Sequence, residues 1–118
     1  MTITVYHYPN CSTCKKALKW LDANGVAHQR VDIVAAPPSQ AELATALARG
    51  PLPLRSLFNT SGQSYRDGNF KERLPKLSEA EALAALAADG KLIKRPLVLG
   101  KQLALAGFDE AAWAARLT

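Results

Sequence analysis

Residues 2–33 place the tightest constraint on what this chain can become. The run Thr2-Ile3-Thr4-Val5-Tyr6-His7-Tyr8 is β-branched and aromatic and predicts a buried strand. Pro9-Asn10 breaks it. From Ser12 to about Asn24, the apolar positions Cys14, Ala17, Leu18 and Leu21 recur at helical spacing, and Gly25 is a natural helix stop. Residues 27–33, AHQRVDI, alternate and predict a second strand. Strand, helix and strand joined by such short links imply a right-handed βαβ unit and a parallel strand pair.

The next stretch changes character. Pro37-Pro38-Ser39 opens a helical region, and Ser39 with Glu42 forms a capping box for a helix running to about Arg49, ended by Gly50-Pro51. A short helix is expected around Leu54–Phe58. Residues 59–69 are polar and contain glycine, which predicts a loop. The Ala- and Leu-rich run from Leu77 predicts another helix, ending before Gly90. Strand pattern then returns at Pro96–Gly100 and Gln102–Ala106, with Gly100-Lys101 as the hairpin turn. Gly107 precedes a last helix from Asp109, a candidate N-cap, to about Leu117. The plan is α/β: βαβ, a helical insert at about 37–92, then ββα. That is a thioredoxin-like fold with a mixed four-stranded sheet, in a single domain spanning residues 1–118.

Composition narrows the class of function. With 48% hydrophobic and 21% charged residues, the 118-residue chain has the makings of one globular core. No stretch approaches the ~18 apolar residues of a membrane span, and the opening MTITVYHYPN lacks the pattern of a secretory leader. A cytoplasmic protein is expected, and thiols there are kept reduced, which argues against a structural disulfide. The net charge of +5 is spread along the chain, with no basic cluster longer than Lys15-Lys16. That distribution disfavours direct nucleic-acid binding and fits solubility, or attraction of small anions and acidic thiols.

Chemistry is concentrated in Cys11-Ser12-Thr13-Cys14, where the first strand hands over to the first helix. A thiol at a helix N-terminus faces unpaired backbone N–H groups and the positive end of the helix dipole, which favours thiolate. Lys15 and Lys16 add positive charge. Cys11 is the expected exposed nucleophile and Cys14, one turn further in, the resolving thiol within bridging reach. A pair of buried small hydrophobes is the bland alternative. No metal site is expected, because His7 and His28 are the only histidines and there is no second cysteine pair. Pro96, at the head of a strand, is a candidate cis proline beside the active cysteine. Arg95 could then hold an anionic oxygen or pair with the thiolate, against the plainer reading of a solvated arginine. His7 could tune the thiol or make a structural hydrogen bond at the strand end. His7, Ser12, Thr13, Lys15 and Pro96 are candidate substrate-binding residues beside Cys11, Cys14 and Arg95. Trp20 and Trp113, with Leu18, Leu86 and Phe108, are expected in the core.

VYHYPNCSTCKKALKWL, APPSQAEL, LIKRPLVL and GFDE together resemble the ArsC family, which groups glutaredoxin-coupled arsenate reductases with Spx-type transcriptional regulators. The resemblance spans essentially the whole chain. It implies that Cys11 is the catalytic cysteine, with His7 four residues before it, and that Arg95 is the arginine of the family's R-P-[IL] motif. Arsenate reductases of this type hold the oxyanion with further arginines. The matching positions here are Asn59, about Gly107, and Lys15, so bidentate guanidinium contacts are missing and arsenate is disfavoured. Those enzymes use one active-site cysteine and an external thiol, whereas Cys14 supplies a resolving partner in the same chain. The expected function is therefore thiol–disulfide oxidoreductase chemistry of glutaredoxin- or arsenate-reductase-like type, on a small disulfide or oxyanion. It needs no bound cofactor and would be reset by a thiol reductant such as glutathione, glutaredoxin or thioredoxin. The alternative is an Spx-type redox switch that binds the RNA polymerase α subunit. A monomer is expected.

Overall fold

The computed structural model describes residues 2–49, 52–101 and 103–118. Its strands are β1 (Ile3–His7), β2 (His28–Asp32), β3 (Leu97–Leu99) and β4 (Ala104–Ala106). The helices are α1 (Ser12–Ala23), α2 (Gln40–Arg49), α3 (Gln63–Asp67), α4 (Phe70–Arg73), α5 (Glu79–Ala88) and α6 (Glu110–Leu117). Short 3-10 turns cover Leu54–Leu57, Leu74–Lys76 and Gly90–Leu92. The four strands lie in the order β2-β1-β3-β4, with β1 and β2 parallel and β3 antiparallel to both β1 and β4. This is the mixed sheet of a thioredoxin-like α/β fold.

Strand alternation divides the core. Ile3 and Val5 of β1 and Val98 of β3 face one side, where they meet Ala17 and Leu21 of α1 and Trp113 of α6. Trp20, Phe108 and Leu18 are half-buried at the rim of that cluster, with Trp113 edge-on to Phe108 at 4.9 Å between ring centroids. Tyr6 and Leu97 face the other side, among Leu43 of α2, Leu86 of α5 and the Phe58, Tyr65 and Phe70 rings. Leu86 therefore lies in the core as expected, but on the opposite face of the sheet from the two tryptophans.

The capping box at Ser39 is present: Glu42 N–H donates to Ser39 Oγ at 3.1 Å and Ser39 N–H donates to Glu42 Oε1 at 3.0 Å. The remaining carboxylate oxygen accepts from Tyr6 OH at 3.2 Å, tying α2 to β1. Burial, then the Glu42 charge and hydrogen bond, push the Tyr6 phenol up to about 12. Ser78 and Glu81 repeat the capping box at the start of α5. Asp109 caps α6, accepting from Ala112 N–H at 3.3 Å.

One expectation is corrected. Residues 59–69 are not simply a loop, because Gln63–Asp67 forms α3. The cause is Tyr65, buried at 7% exposure and stacked on Phe70 at 6.1 Å, while Phe70 meets Phe58 at 5.7 Å. One aromatic anchor orders an otherwise polar segment. The Gly50-Pro51 helix stop and Gln102 at the start of the last strand lie outside the described residues.

Two glycines mark distinct backbone demands. Gly25 has φ +65° in open space, ending α1 in the left-handed region. Gly90 is buried, and a Cβ there would stand 1.8 Å from the Ile33 carbonyl oxygen. Gly25→Ala is expected to cost about 1 kcal/mol through conformation alone. Gly90→Ala should cost more, upwards of about 2 kcal/mol, because the backbone of Ile33 must move. Urea unfolding midpoints of the two variants check this order.

Candidate functional site

The site is built at the carboxyl end of β1. After His7 the chain leaves the sheet, and Cys11 N–H donates to the Tyr8 carbonyl at 3.0 Å, closing the turn that delivers Cys11 to the head of α1. Cys11 is the N-cap residue, in extended conformation. Its Sγ occupies the place that a serine or aspartate oxygen usually takes, accepting the Cys14 N–H at 3.4 Å. The helix then holds Cys14 one turn in and fully buried, while Cys11 is half-exposed; both thiols are free.

The two sulfurs have opposite electrostatics. Burial disfavours the Cys11 thiolate, but hydrogen bonds from the Cys14 thiol and backbone N–H, and then Arg95 by hydrogen bond and charge, hold its pKa below the ordinary value. Cys14 is pushed up to about 12, first by burial, then by its hydrogen bond to Cys11 and by the Cys11 charge. The Tyr8 backbone and Arg95 act in the other direction on Cys14 but are outweighed.

Arg95 comes from the segment entering β3. The Arg95–Pro96 peptide bond is cis, and Pro96 is buried, with its carbonyl accepting Gly107 N–H at 2.9 Å. The guanidinium carbon sits 4.8 Å from the centroid of the Tyr8 ring. Its Nε and Nη1 are buried and have no hydrogen-bond partner among the described residues. Tyr8 was not among the candidates drawn from sequence. Its placement follows from the β1–β3 register: Tyr6 opposes Leu97, so two residues further along Tyr8 meets Arg95.

The other candidates divide. Ser12, Thr13 and Lys15 are exposed on the first turn of α1, beside Cys11. His7 closes β1 opposite Asp32, and its carbonyl accepts Ile33 N–H at 2.8 Å. The groups that lower the Cys11 thiol are Cys14 and Arg95, while the contact His7 makes at the strand end is through its backbone. Asn59 turns the chain, its N–H donating to Leu92 and its carbonyl accepting from Gly62 at 3.1 Å. Gly107 has φ +76°, and a Cβ on it would meet Lys94 Cε at 3.1 Å. Neither position offers a cation. Lys94 instead lines a cleft of about 430 Å³ with Arg55, Ser56 and Ala106. Among the described residues, no helix is long and apolar enough to cross a membrane.

Iodoacetamide reacts with thiolates, so the arrangement predicts selective labelling. At pH 7 Cys11 should be alkylated while Cys14 is spared. The pH midpoint for Cys11 should fall below the ~8.5 of a free thiol, since a lowered pKa leaves the thiolate present at lower pH. Mass spectrometry of the labelled peptides reads both results.

Known proteins resemble this chain along nearly its whole length. The family model described as the ArsC family matches residues 6–116. YusI of Bacillus subtilis is 46% identical over 110 residues, covering 93% of each chain. An arsenate reductase of Rhizobium meliloti is 31% identical over 84% of this chain and 69% of its own. The global transcriptional regulator Spx of Streptococcus agalactiae is 25% identical over 92% of this chain and 77% of its own. The crystal structure of an ArsC family related protein from Bacteroides fragilis superposes with a TM-score of 0.93 at 39% identity, covering 98% of this chain and 97% of that one. The chain belongs to the ArsC family and carries a thiol-redox role of that family.

Proposed function

We propose that this protein is a thiol–disulfide oxidoreductase that uses Cys11 as nucleophile and Cys14 as resolving cysteine. The observation that carries the reading is the split between the sulfurs: one half-exposed and favoured as thiolate, the other buried and held as thiol, joined by the first turn of one helix.

The Cys11 thiolate attacks one sulfur of a substrate disulfide. A Cys11–substrate disulfide forms, and the other substrate sulfur leaves as a thiolate that takes a proton from solvent. Cys11 now carries no charge. Two of the influences that keep Cys14 protonated, the Cys11 charge and the hydrogen bond to its sulfur, are thereby removed. Cys14 gives its proton to solvent and attacks Cys11 Sγ, and the second substrate sulfur leaves as a thiolate that takes a proton from solvent. The two electrons that reduce the substrate come from the cysteine pair, which ends as a Cys11–Cys14 disulfide. An external thiol reductant of the glutathione, glutaredoxin or thioredoxin class resets it.

Turnover of a glutathione mixed disulfide by purified protein and an excess of reductant tests this. Cys11→Ser should abolish turnover. Cys14→Ser should permit the first step and accumulate a stable mixed disulfide on Cys11, visible as an added glutathione mass. Wild-type protein inactive with every small disulfide and reductant tried would sink the reading. An Spx-type switch is the second reading, favoured by the similarity to Spx and by the paired cysteines. It requires oxidised or reduced protein to bind the C-terminal domain of the RNA polymerase α subunit in a pull-down, and binding in neither state removes it.

A further inference from the structure

Arg95 is held in an unusual way. A guanidinium half-buried in a protein normally meets a carboxylate, because unmet charged donors are costly to bury. Here Nε and Nη1 are buried without partners, and the salt bridges among the described residues join Asp22 to His28 and Arg30 instead. What meets the guanidinium is the Tyr8 ring, 4.8 Å below its carbon. The difference matters chemically. A carboxylate would neutralise Arg95 and take up its donors. An aromatic face attracts the cation while leaving its charge unneutralised. Tyr8 also fixes the sulfur, since its carbonyl accepts the Cys11 N–H at 3.0 Å. The ring that meets the cation thus projects from the turn whose backbone carries the thiol.

We infer that Tyr8 is a positioning residue of this site, its ring holding the Arg95 guanidinium, uncompensated, beside the sulfur of Cys11. The inference rests on the reading of Cys11 as the nucleophile, and it assigns the ring face, not the phenol hydroxyl, as the working part. The hydroxyl is dispensable.

The test follows the pH dependence of Cys11 alkylation by iodoacetamide in the reduced full-length protein, with the site of labelling assigned by mass spectrometry. Tyr8→Phe keeps the ring and should leave the midpoint unchanged. Tyr8→Leu and Arg95→Met should each raise it by about 0.5 to 1 pH unit, because the thiolate loses the nearby opposite charge. Tyr8→Leu combined with Arg95→Met should go no higher than Arg95→Met alone. A merely structural role would lower the thermal midpoint of Tyr8→Leu without this dependence on Arg95. Should Tyr8→Leu fail to fold, Tyr8→Met carries the same expectation. The inference is overturned if Tyr8→Phe shifts the midpoint as far as Tyr8→Leu does. It is also overturned if loss of the ring leaves the midpoint at the wild-type value, or if that loss adds its full shift in the Arg95→Met background. Alkylation needs no turnover, so failure of the disulfide assay and failure of this inference are read separately.

Discussion

The first turn of α1 must satisfy amides that have no partner inside the helix, and at Cys14 the acceptor is the sulfur of Cys11. Much else depends on that one interaction. It makes Cys11 the N-cap, which holds the residue outside the helix and half in solvent. It brings the positive end of the helix to the sulfur. It also fixes the offset between the two cysteines, because the N–H that caps belongs to the residue whose own side chain turns inward. The surrounding fold supplies the anchors: β1 on one side of the turn, and on the other Ala17 and Leu21, buried against Val98 and Trp113.

Burial then gives the two thiols different chemistry from nearly identical surroundings. Both sulfurs are influenced by Arg95 and by each other. For Cys14 desolvation dominates, since it is wholly enclosed. For Cys11 desolvation is smaller than the hydrogen bonds and charge combined, so the sum changes sign. The order of the proposed steps follows from this. In the proposed sequence the Cys11 anion adds to the burial that holds Cys14 as thiol, and that added part is lost once Cys11 is bonded to substrate sulfur.

The parts of this arrangement written in local pattern were legible in the sequence. The β1–α1–β2 unit, the capping boxed start of α2, the cap at Asp109 and the placement of Cys11 and Cys14 all depend on residues within one turn or one strand of each other. What was not legible depends on distant pairing. Tyr8 reads as one more aromatic at a strand end until the antiparallel register of β1 and β3 sets it against Arg95, far along the chain. The helix α3 was hidden for a related reason: its stability comes from Tyr65 meeting Phe70 and Phe58, not from periodicity or propensity. Arg95 and Pro96 could be named early from a proline at the head of a strand, helped by the likeness of their motif to a family.

The same geometry bears on the kind of acceptor this site suits. A tetrahedral oxyanion is gripped well by several guanidinium forks, each making two parallel hydrogen bonds. Arg95 has two of its three nitrogens buried against the protein, so neither of its paired edges is open as it stands. The position matching a second arginine is Asn59, engaged in a turn with Gly62; the other is Gly107, whose left-handed backbone disfavours any side chain. Lys15 is an exposed point charge on a flexible stem. A single cation steadied by an aromatic face matches a single sulfur better than it matches an anion with several oxygens. The proposed disulfide chemistry draws on that match.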